Sequence, residues 1–103
     1  MSKNNGPDDR QLRAIGHKLK PVVTVAGNGL NDNVATEIDR ALNDHELIKI
    51  KLSVGSREAR QAMADEICQH SGARIIQAIG NVILVLRRSA EPNPRLSNLL
   101  RPL

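Results

Sequence analysis

The chain has 103 residues, a net charge of +4 and no phenylalanine, tryptophan or tyrosine. That length gives one domain whose single core buries about two-thirds of the unfolded surface, and this core must be aliphatic. Without aromatic rings the chain cannot stack bases as RNA-recognition motifs and most OB-folds do, and its one cysteine, Cys68, excludes an internal disulfide and suits a reducing compartment.

Met1 to Pro7 is polar, lacks the apolar segment of a signal peptide, and with residues 8 and 9 is expected to form a flexible N-terminus. Asp8 or Asp9 can cap a first helix that runs to about His17 with Leu12 and Ile15 inward. Pro21 stops helical structure and opens a short β-branched strand, Val22 to Val25. The strand runs into a glycine turn, Gly27-Asn28-Gly29, and the turn feeds an amphipathic helix from about Asp32 to Asp44, capped by Asn31. Leu30, Val34, Ile38, Ala41 and Leu42 recur along it at helical spacing. Leu47 to Leu52 alternates, Ile48, Ile50 and Leu52 facing one way and Lys49 and Lys51 the other, which predicts a half-buried strand with a wet face. Ser56 caps a third helix, Arg57 to His70, with Ala59, Ala62, Met63 and Ile67 inward and Gly72 as its stop. Two strands, Ala73 to Ala78 and Val82 to Leu86, flank Gly80-Asn81 as a hairpin. The proline-containing segment after Arg88 reads as a tail, residues 89–103, in which Leu96, Leu99 and Leu100 can dock weakly. The folded domain is therefore expected over residues 10–88, in the order α-β-α-β-α-β-β, an α/β fold around a four-stranded mixed sheet.

Catalysis has little support. His17, His45 and His70 follow no metal-ligand spacing with Cys68, no serine sits in a nucleophile elbow, and the glycine turn lacks the Lys-Ser/Thr ending of a P-loop. The reading is a non-enzyme with no metal and no cofactor. No apolar run reaches transmembrane length, so neither a membrane partner nor a non-cytoplasmic location is indicated.

The strand–glycine turn–helix unit points instead to anion binding, because it exposes backbone N–H groups beside a helix start. Such a turn also occurs merely to reverse the chain, so its surroundings carry the argument. Arg13, His17, Lys18 and Lys20 precede it, and Lys49 and Lys51 lie on the next strand. Arg57 and Arg60 begin the third helix, where cations oppose the macrodipole and so favour a binding role over a stabilising one. If the first two strands are neighbours, all these residues can border one sheet edge, with nucleic-acid phosphate the best anion. Lys49 and Lys51 equally suit a solvated sheet face, and Arg87 and Arg88 suit ordinary edge charge.

Four separated motifs agree in order and spacing with one family: Leu12-Arg-Ala-Ile-Gly-His-Lys-Leu-Lys-Pro-Val-Val, Ala26-Gly-Asn-Gly-Leu-Asn-Asp-Asn-Val, His45-Glu-Leu-Ile-Lys-Ile-Lys and Gly80-Asn-Val-Ile-Leu-Val-Leu-Arg. Over about residues 10–88 the chain resembles the CRM domain, and more closely the free-standing bacterial YhbY proteins. The resemblance implies a fold similar to the C-terminal domain of translation initiation factor three, with a KH-like G-x-x-G loop that clamps RNA backbone. It also implies a cytoplasmic, monomeric RNA-binding protein acting on ribosomal RNA, 23S rRNA or pre-50S particles, during assembly of the large subunit. By position the loop is Ala26, Gly27, Asn28 and Gly29. Ala26 replaces the first glycine, and Gly27 is expected to take over the permissive backbone position. Asn81 stands where many members carry a basic residue, and Leu86 where an aromatic is usual. The competing readings are an adaptor that docks on ribosomal proteins through Leu96 to Leu103, and a KH-like binder of other nucleic acids.

Overall fold

The computed structural model describes residues 7–27 and 29–100. The start of the expected loose N-terminus (residues 1–6), Asn28 of the glycine turn and the last three residues of the tail lie outside the described residues. The elements follow the expected order: α1 (Asp9–Gly16), β1 (Pro21–Ala26), α2 (Asp32–His45), β2 (Leu47–Ser53), α3 (Arg57–Ser71), β3 (Arg74–Ile79) and β4 (Val82–Leu86). Local chemistry sets the helix starts. The Asp8 carboxylate accepts from Gln11 N–H while the Gln11 side chain accepts from Asp8 N–H, a reciprocal capping box. Asn31 and Ser56 likewise accept from the N–H groups of Val34 and Ala59.

The sheet runs β1-β2-β4-β3. β1 and β2 are parallel and joined through α2, whereas β4 lies between β2 and β3 and is antiparallel to both. One face packs on α2 and α3: Val23, Val25, Ile48, Ile50, Leu52, Ile83 and Val85 meet Ile38, Leu42, Met63, Ala64 and Ile67 in one aliphatic cluster. This layering needs no aromatic ring because β-branched strand residues interdigitate with Leu, Met and Ala from the helices.

Three details differ from the sequence reading. On α3 the inward positions are Met63, Ala64 and Ile67, while Ala59 and Ala62 are exposed. Alanine at several successive turns does not discriminate a face, and larger Met63 and Ile67 decide the rotation. On β2 the face of Lys49 and Lys51 is wet only in part, because α1 crosses the sheet on that side. There Leu12 packs with Leu47, Ile76, Leu84 and Leu86 as a second cluster. Arg74 of β3 ties the helix down through an ion pair with Asp9, 3.0 Å, and this guanidinium holds the Asp9 carboxyl below its usual range. Third, the segment after β4 is packed against the domain. Asn98 donates its side-chain N–H to the Leu47 carbonyl and its backbone N–H to the His45 carbonyl, and Leu99 joins the second cluster.

Glu46 organises that last contact. It links α2 to β2 with no intervening loop, at φ 64° and ψ −45°, close to a strained γ-turn geometry. Its side chain is 1% exposed. The carboxylate accepts from Ser97 Oγ at 2.6 Å and from Ser89 N–H, with Arg88 Nε at 3.6 Å. Arg87 donates to the Asp39 carboxylate and to the Ser71 carbonyl. Both arginines at the end of β4 are therefore structural ties, not loose edge charge. Cys68 is half-buried, and desolvation pushes its thiol pKa up, as suits an inert packing residue. Among the described residues no helix is long and apolar enough to cross a membrane.

Candidate nucleic-acid interface

β1 is an edge strand, and its parallel register with β2 determines what surrounds the glycine turn. Ala26 lies opposite Ser53, so β1 and β2 end together. The turn after β1 therefore sits beside the short connection that leads through Ser56 into α3. This brings Arg57, exposed, and Arg60, half-buried, to the same end of the sheet as the loop. Lys51, two register steps before that end, is exposed and pairs with Thr24 of β1 and Val82 of β4.

Within the turn, Ala26 is the last residue of β1 and keeps ordinary strand geometry, which alanine adopts without cost. Gly29 is the residue with positive φ, at 91°. Gly27 is not, so the permissive position falls at the second glycine, contrary to the expectation from sequence. A hydrogen bond from Gly29 N–H to the Ala26 carbonyl, 3.0 Å, closes the turn. That N–H is thereby engaged and does not face an incoming anion, whereas Gly27 is exposed, and a Cβ added there would meet nothing within 4 Å. The start of α2 is a poor anion site because Asp32 places its own carboxylate in the first turn. Cationic help for the loop comes from α3 and from Lys51.

The remaining predicted residues are spread along β1 and do not gather at the loop. Lys18 and Lys20 border a cleft of about 270 Å³ with Val22, His45 and Asn98, at the opposite end of the strand. Six strand residues lie between Lys20 and Gly27, a separation of roughly 23 Å at about 3.3 Å per residue. Lys49 is half-buried midway, opposite Pro21 and Leu84. His17 caps the end of α1 above the same face, and Arg13 is half-buried on α1.

Charge pairing separates two kinds of cation. Arg74, Arg87 and Arg88 each have a carboxylate partner. Among the described residues none of Arg13, Lys18, Lys20, Lys49, Lys51, Arg57 and Arg60 does. Arg10, on α1 like Arg13, Arg40 on α2 and Arg95 in the tail are also unpaired among the described residues, so pairing alone does not set the first group apart. The unpaired cations before β1, on the adjoining face of β2 and at the start of α3 add positive potential around β1 that attracts polyanions. The described residues contain no cluster of His, Cys, Asp and Glu able to hold a metal. Sequence reasoning missed Gln77, Ile79 and Val82, which share the open sheet face with Lys49 and Lys51; the irregular register between Ile75 and Gln77 interrupts the period-2 pattern that would have placed them.

Against known proteins, the CRS1/YhbY (CRM) domain profile matches residues 5–87. The chain belongs to the CRM domain family. It is 50% identical over 92 residues to a Pseudomonas aeruginosa protein named as a probable RNA-binding protein, covering 89% of this chain and 88% of the relative. A Haemophilus influenzae protein named RNA-binding protein is 40% identical over 82% of this chain and 86% of its own length. The CRM fold also matches the solution structure of a hypothetical Staphylococcus aureus protein described as a candidate RNA binder, with a TM-score of 0.72 and 28% identity over 81% of this chain and 86% of that one.

Proposed function

We propose that this CRM domain is a non-catalytic RNA-binding protein that recognises structured RNA by backbone and shape, with ribosomal RNA of the assembling large subunit as its target. The observation that supports the reading is the Ala26–Ser53 register: exposed Gly27 and the start of α3, with Arg57 and Arg60, share one end of the sheet, and Lys51 and Lys49 on β2 lie between that end and Lys18 and Lys20. At about 3.4 Å per stacked nucleotide, the roughly 17 Å length of β1 accommodates about five nucleotides of one strand, so one RNA strand can reach both groups of cations. The names of the relatives support RNA as partner. For the adaptor alternative through Leu96 to Leu103, Leu99 and Asn98 already pack on the domain, whereas Leu100 is exposed.

The test is sedimentation of the protein with ribosomal particles from lysate at low and high salt, beside a Lys49→Glu/Lys51→Glu variant. Salt-sensitive migration with large-subunit precursors that the variant loses is the expected result. Migration only at the top of the gradient, for protein shown to be folded, overturns the ribosomal target.

A further inference from the structure

The open part of the sheet face beyond α1 holds a cleft of about 260 Å³ that the backbone-clamping reading does not use. Two rows of paired residues cross this face, the first lining the cleft throughout and the second through Ile79 and Val82. Gln77, Leu84, Lys49 and Pro21 form one row, and Ile79, Val82, Lys51 and Thr24 form the next. Each row thus runs from an apolar or amide end on β3 to a cationic centre on β2. Ile79 is 63% exposed, an unusual position for a large aliphatic side chain, and Leu84 floors the cleft. Gln77 is half-buried, and among the described residues its amide has no hydrogen-bond partner. The volume lies below the roughly 300–1,000 Å³ of sites for drug-sized ligands and suits a single planar ring system.

We propose that this cleft takes one unpaired base of the bound RNA, read at its edge by Gln77, with adenine preferred. The inference rests on the RNA-binding reading above and adds a specificity-determining residue to it. The carboxamide of Gln77 presents a donor beside an acceptor, the pattern that pairs with adenine's amino group and adjacent ring nitrogen; cytosine's unpaired edge offers the same pattern, and the larger purine face on the apolar cleft favours adenine over it. Leu84, Val82 and Ile79 supply apolar surface for the base face where an aromatic would otherwise stack. Lys49 stands two strand spacings from Gln77, about 9–10 Å away, and Lys51 one row further along, about 12 Å away, distances that suit the nucleotide's phosphate while the base edge meets the amide. His17 closes the rim from α1. A second copy of the chain fits this face poorly, because a two-fold pairing would set Lys49 and Lys51 against their own equivalents.

The experiment uses four short RNA hairpins that differ only in one bulged nucleotide, A, C, G or U, titrated at fixed salt with the full chain and with Gln77→Ala. The expected result is tighter binding of the A bulge by about fivefold or more, with the four affinities converging in the variant while its salt dependence is unchanged. Gln77 is partly exposed on a strand, and circular dichroism of the variant establishes that it folds. Equal affinities in the wild type, or a preference that survives Gln77→Ala, overturn the inference while leaving tight, salt-dependent RNA binding in place. Weak, salt-insensitive binding to all four overturns the underlying RNA reading as well. A concentration-dependent dimer dissolved by Ile79→Glu, without base preference, assigns the face to a second copy instead.

Discussion

Glu46 shows how one residue sets the extent of the folded unit. A buried carboxylate is costly unless its oxygens are satisfied, and its partners Ser89 and Ser97 both come from the segment after β4. The strained backbone at this position persists because the packing around it fixes it. Glu46→Ala removes the acceptor and leaves the buried Ser97 O–H and the Ser89 N–H without their partner, at a cost of about 2–4 kcal/mol. Ser97→Ala, which leaves the Ser89 contact and the Arg88 ion pair in place, costs about 1–2 kcal/mol. Urea unfolding followed by circular dichroism measures both, and equal stability of Glu46→Ala and wild type would contradict the latch. The glycine turn obeys the same single-residue logic. Gly29→Ala forces a Cβ into positive φ and costs about 1–2 kcal/mol, whereas Gly27→Ala meets open space and leaves stability nearly unchanged. Any loss of RNA affinity in Gly27→Ala then reports on the interface and not on folding.

Among the elements, α1 is the one whose placement depends on close contact. Gly16 is buried against Leu84, and a Cβ built there would fall 2.5 Å from Leu84 Cδ2. Helix propensity alone makes Gly16→Ala stabilising by about 1 kcal/mol, but overpacking against a fixed leucine costs about 1–3 kcal/mol. The variant is therefore expected to be net destabilised, seen as a lower urea midpoint with an unchanged m-value; a raised midpoint would mean that α1 rides loosely on the sheet. This helix also marks the limit of what sequence reading reached. The seven elements were legible because caps at Asp8, Asn31 and Ser56 and the alternation through Ile48, Ile50 and Leu52 are local signals. That α1 covers the Lys49 side of the sheet was not, because Leu12 and Leu47 are apolar whichever layer they join. Docking of the tail was legible through its leucines, but the polar latch that holds it was not, since Glu46 and Ser97 are 51 residues apart and each reads as a solvated polar residue by itself. For the candidate interface, residue types were readable, but their division into a loop group and a Lys18–Lys20 group follows from the strand register.

For the whole molecule, the net charge matters less than which cations lack partners. Among the described residues Lys18 and Lys20 before β1, Lys49 and Lys51 on the neighbouring β2, and Arg57 and Arg60 at the start of α3 have no carboxylate partner, whereas Arg87 is held by Asp39, Asn43 and the Ser71 carbonyl. If the edge neutralises about six phosphates, the logarithm of RNA affinity falls with the logarithm of salt at a slope of about −4 to −5. Lys49→Gln/Lys51→Gln releases two of those contacts and makes the slope shallower by about 1.5–2, with little change in unfolding because neither lysine is tied to the fold by an ion pair. Arg87→Gln removes the same formal charge per site but breaks several internal hydrogen bonds. It should lose about 1–3 kcal/mol of stability and keep the wild-type slope. Filter binding across a salt series, paired with urea unfolding of each variant, measures both quantities on the same preparations. If Arg87→Gln flattens the slope as much as the lysine pair does, RNA is answering to net charge alone and the β1 edge is not its track.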